Sequence, residues 1–282
     1  MSVYDTKPER FLERIVFQNS QNPSGSVCCA GYELETWRCR QFANHLVEWL
    51  PDYALVEEEL NISHGNMYVK MQQAAVRVYT SEKYKKRGEV GEISIHAICR
   101  DYFGTIPISP RVFYKSASND PVKAFDMVHA RLRRKGVELW LGESKLFANA
   151  QRAVAEAIRS VKLHLEQGFL SNQKLLLGPQ IPKTTPRYSE IMDLFKSQTS
   201  LDHFLASAVF VIGILCDSSA LKSNKALSDA YRAEVAAELN EISEKIKASG
   251  LTTKLRFLVL YVPLADKEAL VNEFDRRLKA FQ

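Results

Sequence analysis

From Val137 to Phe147 the chain reads VELWLGESKLF, with apolar residues at every second position until Glu143 and Lys145 interrupt them. Period two is the signature of a β-strand, so Val137, Leu139, Leu141, Glu143, Lys145 and Phe147 share one face. The preceding segment, Ala124 to Arg133, alternates in the same way, and the intervening RRKG carries a glycine able to take positive φ in a turn. A hairpin symmetric about Arg134 and Lys135 pairs residues whose numbers sum to 269 (134 + 135). Leu132 then faces Val137, Ala130 faces Leu139, Val128 faces Leu141, and Asp126 faces Glu143.

Helical periodicity predicts helices over about Trp37 to Leu50, Met67 to Tyr79 and Gly91 to Phe103. It returns in AQRAVAEAIRSVKLHL, and again over Ser189 to Ser197, Lys225 to Ala248 and Lys267 to Phe281. Further strands are expected at RVFYK (Arg111 to Lys115), Ala208 to Cys216 and Lys254 to Leu264. This alternation predicts an α/β fold in which helices cover a mixed sheet. We read residues 1–282 as one domain, with residues 1–60 as an N-terminal helical extension and GPQIPKTTPRY as a surface loop.

With 46% hydrophobic residues, a chain of 282 can bury a sizeable core. Its longest apolar run, AVFVIGILC, is too short for a bilayer, and the N-terminal MSVYDTKPERF has no apolar signal region, so no membrane role is expected. Five cysteines without paired spacing point to a reducing cytoplasm. The net charge of +5 leans toward a polyanionic partner, because the basic residues cluster in YKKRGE (Tyr84 to Glu89) and RLRRKG (Arg131 to Gly136). Solvated turns are the plain alternative for both runs. No nucleophile elbow or G-x-x-x-x-G-K-[ST] phosphate loop occurs in the sequence.

The hairpin register brings the Asp126 and Glu143 carboxylates opposite each other, roughly 5 Å apart at Cβ, where like charges repel. A divalent cation removes that repulsion, and Lys145 one pleat further can orient a water or steady a phosphate charge. The residues therefore suit metal-dependent phosphodiester hydrolysis, the alternative being a buried salt bridge to Lys145. On the helix ahead of the sheet, Glu92 heads a stripe with Ile95, Cys99 and Tyr102, although a first-turn glutamate is also favoured by the helix dipole. His96, one turn on, is placed to hold Glu92. His129 lies on the opposite face from Asp126 and reads as a satisfied core or surface histidine, and Lys115 as a weak phosphate contact.

Asp126 followed 17 positions later (143 − 126) by Glu143-Ser144-Lys145 resembles the PD-(D/E)xK nuclease signature, with Phe125 in place of proline. The longer blocks GEISIHAICRDYFG, VFYKSASNDPVKAFDMVHA and VELWLGESKLF resemble the HamA family, the nuclease subunits of Hachiman anti-phage defence systems, and the related anti-phage protein AbpA. That resemblance implies a restriction-endonuclease-like fold and DNA cleavage dependent on Mg²⁺ or Mn²⁺. Glu92, Asp126 and Glu143 would be the metal ligands, with Lys145 completing the catalytic set. It also implies a helicase partner subunit, HamB-like, forming a heterodimer, for which Trp37 to Leu50 and Lys267 to Phe281 are candidate contact helices, core packing being the expected role of most of their apolar residues. A non-catalytic DNA-binding or scaffolding subunit, and a stand-alone restriction or repair nuclease, remain open alternatives.

Overall fold

The computed structural model describes residues 3–79, 88–109 and 125–281. The first segment forms β1 (Glu13–Gln18), β2 (Ser24–Cys29), the short β3 (Tyr32–Glu33) and β4 (Thr36–Trp37), then helices α1 (Cys39–Glu48), α2 (Leu50–Ala54) and α3 (Met67–Tyr79). Next come α4 (Glu89–Phe103), β5 (Ile106–Ser109), β6 (Met127–Arg133), β7 (Gly136–Phe147), α5 (Ala150–His164), α6 (Gln167–Leu177), α7 (Tyr188–Phe195) and α8 (Leu201–Ser207). The chain ends with β8 (Ala208–Asp217), α9 (Ser219–Ser223), α10 (Asp229–Ala248), β9 (Arg256–Leu264) and α11 (Lys267–Lys279). RVFYK, Lys115 and the basic stretch before Gly88 lie outside the described residues.

Seven strands form one mixed sheet in the order β1-β2-β9-β8-β7-β6-β5. The central run β2-β9-β8-β7 is parallel, and antiparallel pairs close both edges. Alternation divides each strand between two apolar layers. Phe210, Ile212 and Ile214 of β8 pack with α5 through α8 and α10 on one face, while Val211 and Leu215 pack with α1 through α4 and α11 on the other. The β6–β7 hairpin has the register expected from symmetry, with Leu132 opposite Val137, Ala130 opposite Leu139 and Val128 opposite Leu141. Gly136, at φ +144°, turns the corner.

One expectation about the N-terminal region needs correction. Residues 1–60 are not simply a helical extension, because β1 and β2 enter the main sheet beside β9. The candidate contact helices α1 and α11 pack against each other, burying Phe42, Leu46, Leu270 and Phe274, which is the core packing expected of most of their apolar residues.

Helix α4 positions the site. It is buried on nearly all sides and ends at Gly104, whose left-handed backbone (φ 60°) lets its N–H reach the Cys99 carbonyl. It lies close on β7 and β8 because two glycines make room. A Cβ on Gly213 would stand 2.1 Å from Ile95 Cγ2, and one on Gly91 would stand 3.1 Å from Ser144 Oγ. The first turn of α4 therefore rests on Ser144, between Glu143 and Lys145.

Candidate active site

Asp126 stands just before β6, and its N–H still donates to the Gly142 carbonyl at 2.8 Å, extending the ladder one step. Its side chain does not simply face Glu143. Oδ2 instead accepts from the backbone N–H of Ser144 (2.9 Å) and from the Ser144 hydroxyl (3.2 Å), which fixes the carboxylate at the edge of β7. Glu143 and Lys145 project from the opposite side of β7, and the Lys145 ammonium donates to Glu143 Oε1. Burial first, and then the Asp126 carboxylate, push the Glu143 carboxyl up to about 7, against the opposing pull of Lys145. Glu143 is 6% exposed, and its Oε2 has no hydrogen-bond partner among the described residues.

The histidine nearest that oxygen is not one that the sequence pattern singled out. Nδ1 of His164, in the last turn of α5, is 3.8 Å from Glu143 Oε2. Its ring is held between Phe169, stacked at 4.7 Å, and the edge of Phe125 at 4.5 Å. The available signal was the stripe Ala157, Val161, His164, which puts the imidazole on the buried face of α5.

Glu92 lies in the first turn of α4, 3% exposed, and accepts from the Tyr53 hydroxyl at 2.5 Å. His96 does not hold it. Nε2 of His96 is 2.6 Å from Asp52 Oδ1, and its Nδ1 is 3.0 Å from His129 Nε2. Asp52 is also gripped by Arg100 through two 3.1 Å contacts, and His129 Nδ1 meets the Thr105 hydroxyl at 2.8 Å. His129 is thus a satisfied core histidine, as its parity suggested, and burial drives its pKa well down. The network ties α2 to α4 and β6. It also sets Tyr53, whose ring lies edge-on to His96 at 5.8 Å.

Asp126, Glu143 and Lys145 therefore come together, with Glu92 held separately by Tyr53. Among the described residues no three His, Cys, Asp or Glu side chains form a group able to hold a metal ion. Mg²⁺ needs only one or two carboxylates because it keeps several waters. The Asp126 and Glu143 carboxylates, close enough that one raises the pKa of the other and with one buried oxygen lacking a hydrogen-bond partner among the described residues, meet that requirement. At the hairpin turn, Arg134 and Lys135 are exposed, whereas Arg133 is compensated by Glu138, which also binds Arg256.

A seven-stranded mixed sheet flanked by helices is consistent with a restriction-endonuclease-like fold. Comparison with known sequences is more specific: the HamA family profile matches residues 8–278, and the chain belongs to that family. It is also 23% identical over 131 residues to Anti-bacteriophage protein A of Escherichia coli (strain K12), a match covering 46% of this chain and 24% of that protein's length. Among the described residues no helix is long and apolar enough to cross a membrane.

Proposed function

We propose that this HamA-family chain is a deoxyribonuclease of anti-phage defence, hydrolysing DNA phosphodiesters with Mg²⁺ or Mn²⁺ bound at Asp126 and Glu143. The family and the anti-bacteriophage relative both support a defence role. The observation that carries the nuclease reading is the buried Glu143, with one oxygen on Lys145, the other without a hydrogen-bond partner among the described residues, and its pKa raised by burial and by Asp126 against the lowering pull of Lys145 and Ser160. Burying two carboxylates beside a half-buried lysine at one strand end is costly unless they are used together.

In this reading the Ser144 N–H and hydroxyl fix the Asp126 carboxylate, and Lys145 favours the ionised form of Glu143 against burial and presents a cation to the scissile phosphate. Tyr53 orients Glu92 as a third acid at the head of α4. A bound divalent ion would supply Lewis-acid polarisation and a water ionised near neutral pH. The sequence contains no P-loop, and the family resemblance supports a helicase subunit as the source of ATP-driven movement on DNA. A nuclease of low sequence specificity needs such restraint in a living cell.

The test is incubation of the purified chain with circular and linear DNA, with and without Mg²⁺, beside Glu143→Gln and Lys145→Ala. Metal-dependent cleavage that disappears in both variants is expected. Absence of cleavage by the wild type, alone and with its helicase, would leave a non-catalytic DNA-binding subunit. Vigorous cleavage unaffected by the helicase and ATP would instead favour a stand-alone nuclease.

A further inference from the structure

At the end of α4 remote from Glu92, arginines and aromatic rings alternate in a continuous ladder. The Arg10 guanidinium lies 5.0 Å from the Tyr102 ring, and Arg14 lies 4.6 Å from Tyr102 and 4.5 Å from Phe17. Phe17 meets Phe103 edge-on at 6.1 Å, and Phe103 meets Trp140 at 5.0 Å. Arg131 closes the series, 5.8 Å from Phe103 and 5.5 Å from Trp140. The Tyr102 hydroxyl accepts from the Arg14 N–H and donates to the Leu12 carbonyl, both at 2.7 Å, so the ladder is fastened to its backbone.

Two properties set it apart from ordinary surface packing. Some arginines elsewhere, such as Arg77 and Arg256, are paired with carboxylates, while Arg38 and Arg152 stack on single rings. Arg10, Arg14 and Arg131 make no ion pair among the described residues, although Asp101 lies within electrostatic reach of Arg10, and Glu138, the cross-strand partner of Arg131, within reach of that guanidinium. Phe17, in addition, is 44% exposed, leaving apolar ring surface in water beside those cations. Preoriented guanidinium groups next to an exposed ring offer phosphates a charge and a base a stacking face. A duplex buries its base faces and can use only the first of these.

Resting on the nuclease reading above, we infer that this ladder is a docking surface for single-stranded DNA. Phosphates lie along Arg10 and Arg14, and a base stacks on Phe17. Eleven positions of α4 separate Glu92 from Phe103, about 16 Å at the helical rise, so the ladder lies at the opposite end of that helix from Glu92.

The experiment measures fluorescence anisotropy of a fluorescein-labelled oligothymidine and of a matching duplex in EDTA, where cleavage does not interfere. Phe17→Ala should weaken oligothymidine binding roughly tenfold and duplex binding little. Arg10→Ala with Arg14→Ala should lower the slope of log affinity against log salt by about 1.4, or ~0.7 for each phosphate neutralised on a single strand. Phe17→Leu and Arg14→Lys, checked by circular dichroism melting, guard against misfolding: they keep bulk or charge and should still lose affinity for the single strand. Unchanged oligothymidine affinity, equal losses on both probes, or preferential displacement by polyglutamate would overturn the inference. Cleavage is assayed separately with Mg²⁺. A chain that binds oligothymidine through these residues yet cleaves nothing supports the ladder and defeats the nuclease reading. A chain that cleaves DNA while Phe17→Ala binds normally does the opposite.

Discussion

Glu143 brings together stability and chemistry at one side chain. Its ordinary value is 4.5 and its folded value about 7. As pH rises through that interval the unfolded chain loses its proton first, so folding loses stability, and the cost is complete above about 7. Glu143→Gln removes it. In chelator above pH 7 the variant should melt at or above the wild-type temperature, gaining up to about 3 kcal/mol less the loss of Lys145's partner, with no gain below pH 4.5. A large loss of stability would show that the Glu143–Lys145 pair is a structural salt bridge. His45 behaves oppositely, because burial lowers it from 6.5 to about 4. Its contribution is intact above 6.5 and is lost on acidification, about 2 kcal/mol by pH 5. Melting curves from pH 7 to 5 should fall less steeply for His45→Gln, which keeps an acceptor for the Trp49 indole. Of the site residues, Asp126, Glu143 and Lys145 were legible because period two and one turn glycine determine who meets whom. The turning of Asp126 toward Ser144 was not, since a backbone N–H past the end of β6 leaves no mark in the residue pattern.

The fit of α4 against the sheet depends on a missing side chain. Gly213→Ala would put a methyl group 2.1 Å from Ile95 Cγ2, so the helix must lift or Ile95 must leave its rotamer. A loss of about 1–3 kcal/mol or more is expected, together with reduced DNA cleavage as Gly91 and Glu92 move away from β7. Gly213→Ala with Ile95→Ala should recover part of the cleavage in the same assay. If the single variant has wild-type stability and activity, α4 does not set the site. Strong elements were readable one by one: β8, β9, α5 and α11 fall close to where their periodicity predicts. The neighbours of those strands were not. β1 reads ERIVFQ, too weakly alternating to stand out, and β2 is built from small residues in SGSVCC, so their entry into the sheet leaves little local trace. The His96 to Asp52 link joins side chains 44 positions apart, and no spacing rule reaches that far.

For the whole molecule, charge is distributed in a way that can be measured. Replacing Arg134 and Lys135 with alanine should reduce the salt slope of duplex affinity by about 0.9 for each phosphate those side chains neutralise. Arg133→Ala should matter less, because Glu138 already offsets that guanidinium. An unchanged slope for the first variant would return the turn to plain solvation. The sheet itself joins distant parts of the chain: Gly25 of β2 pairs with Val259 of β9, 234 positions later (259 − 25). On a ribosome adding roughly 5–20 residues per second, β2 waits on the order of ten to fifty seconds for that neighbour to be made. During synthesis β9 is also absent from the far side of β8, against which β7 and its Glu143 lie. The strands that carry the carboxylates are braced only once β9 has been made, so a polypeptide interrupted before that strand should lack the finished carboxylate cluster.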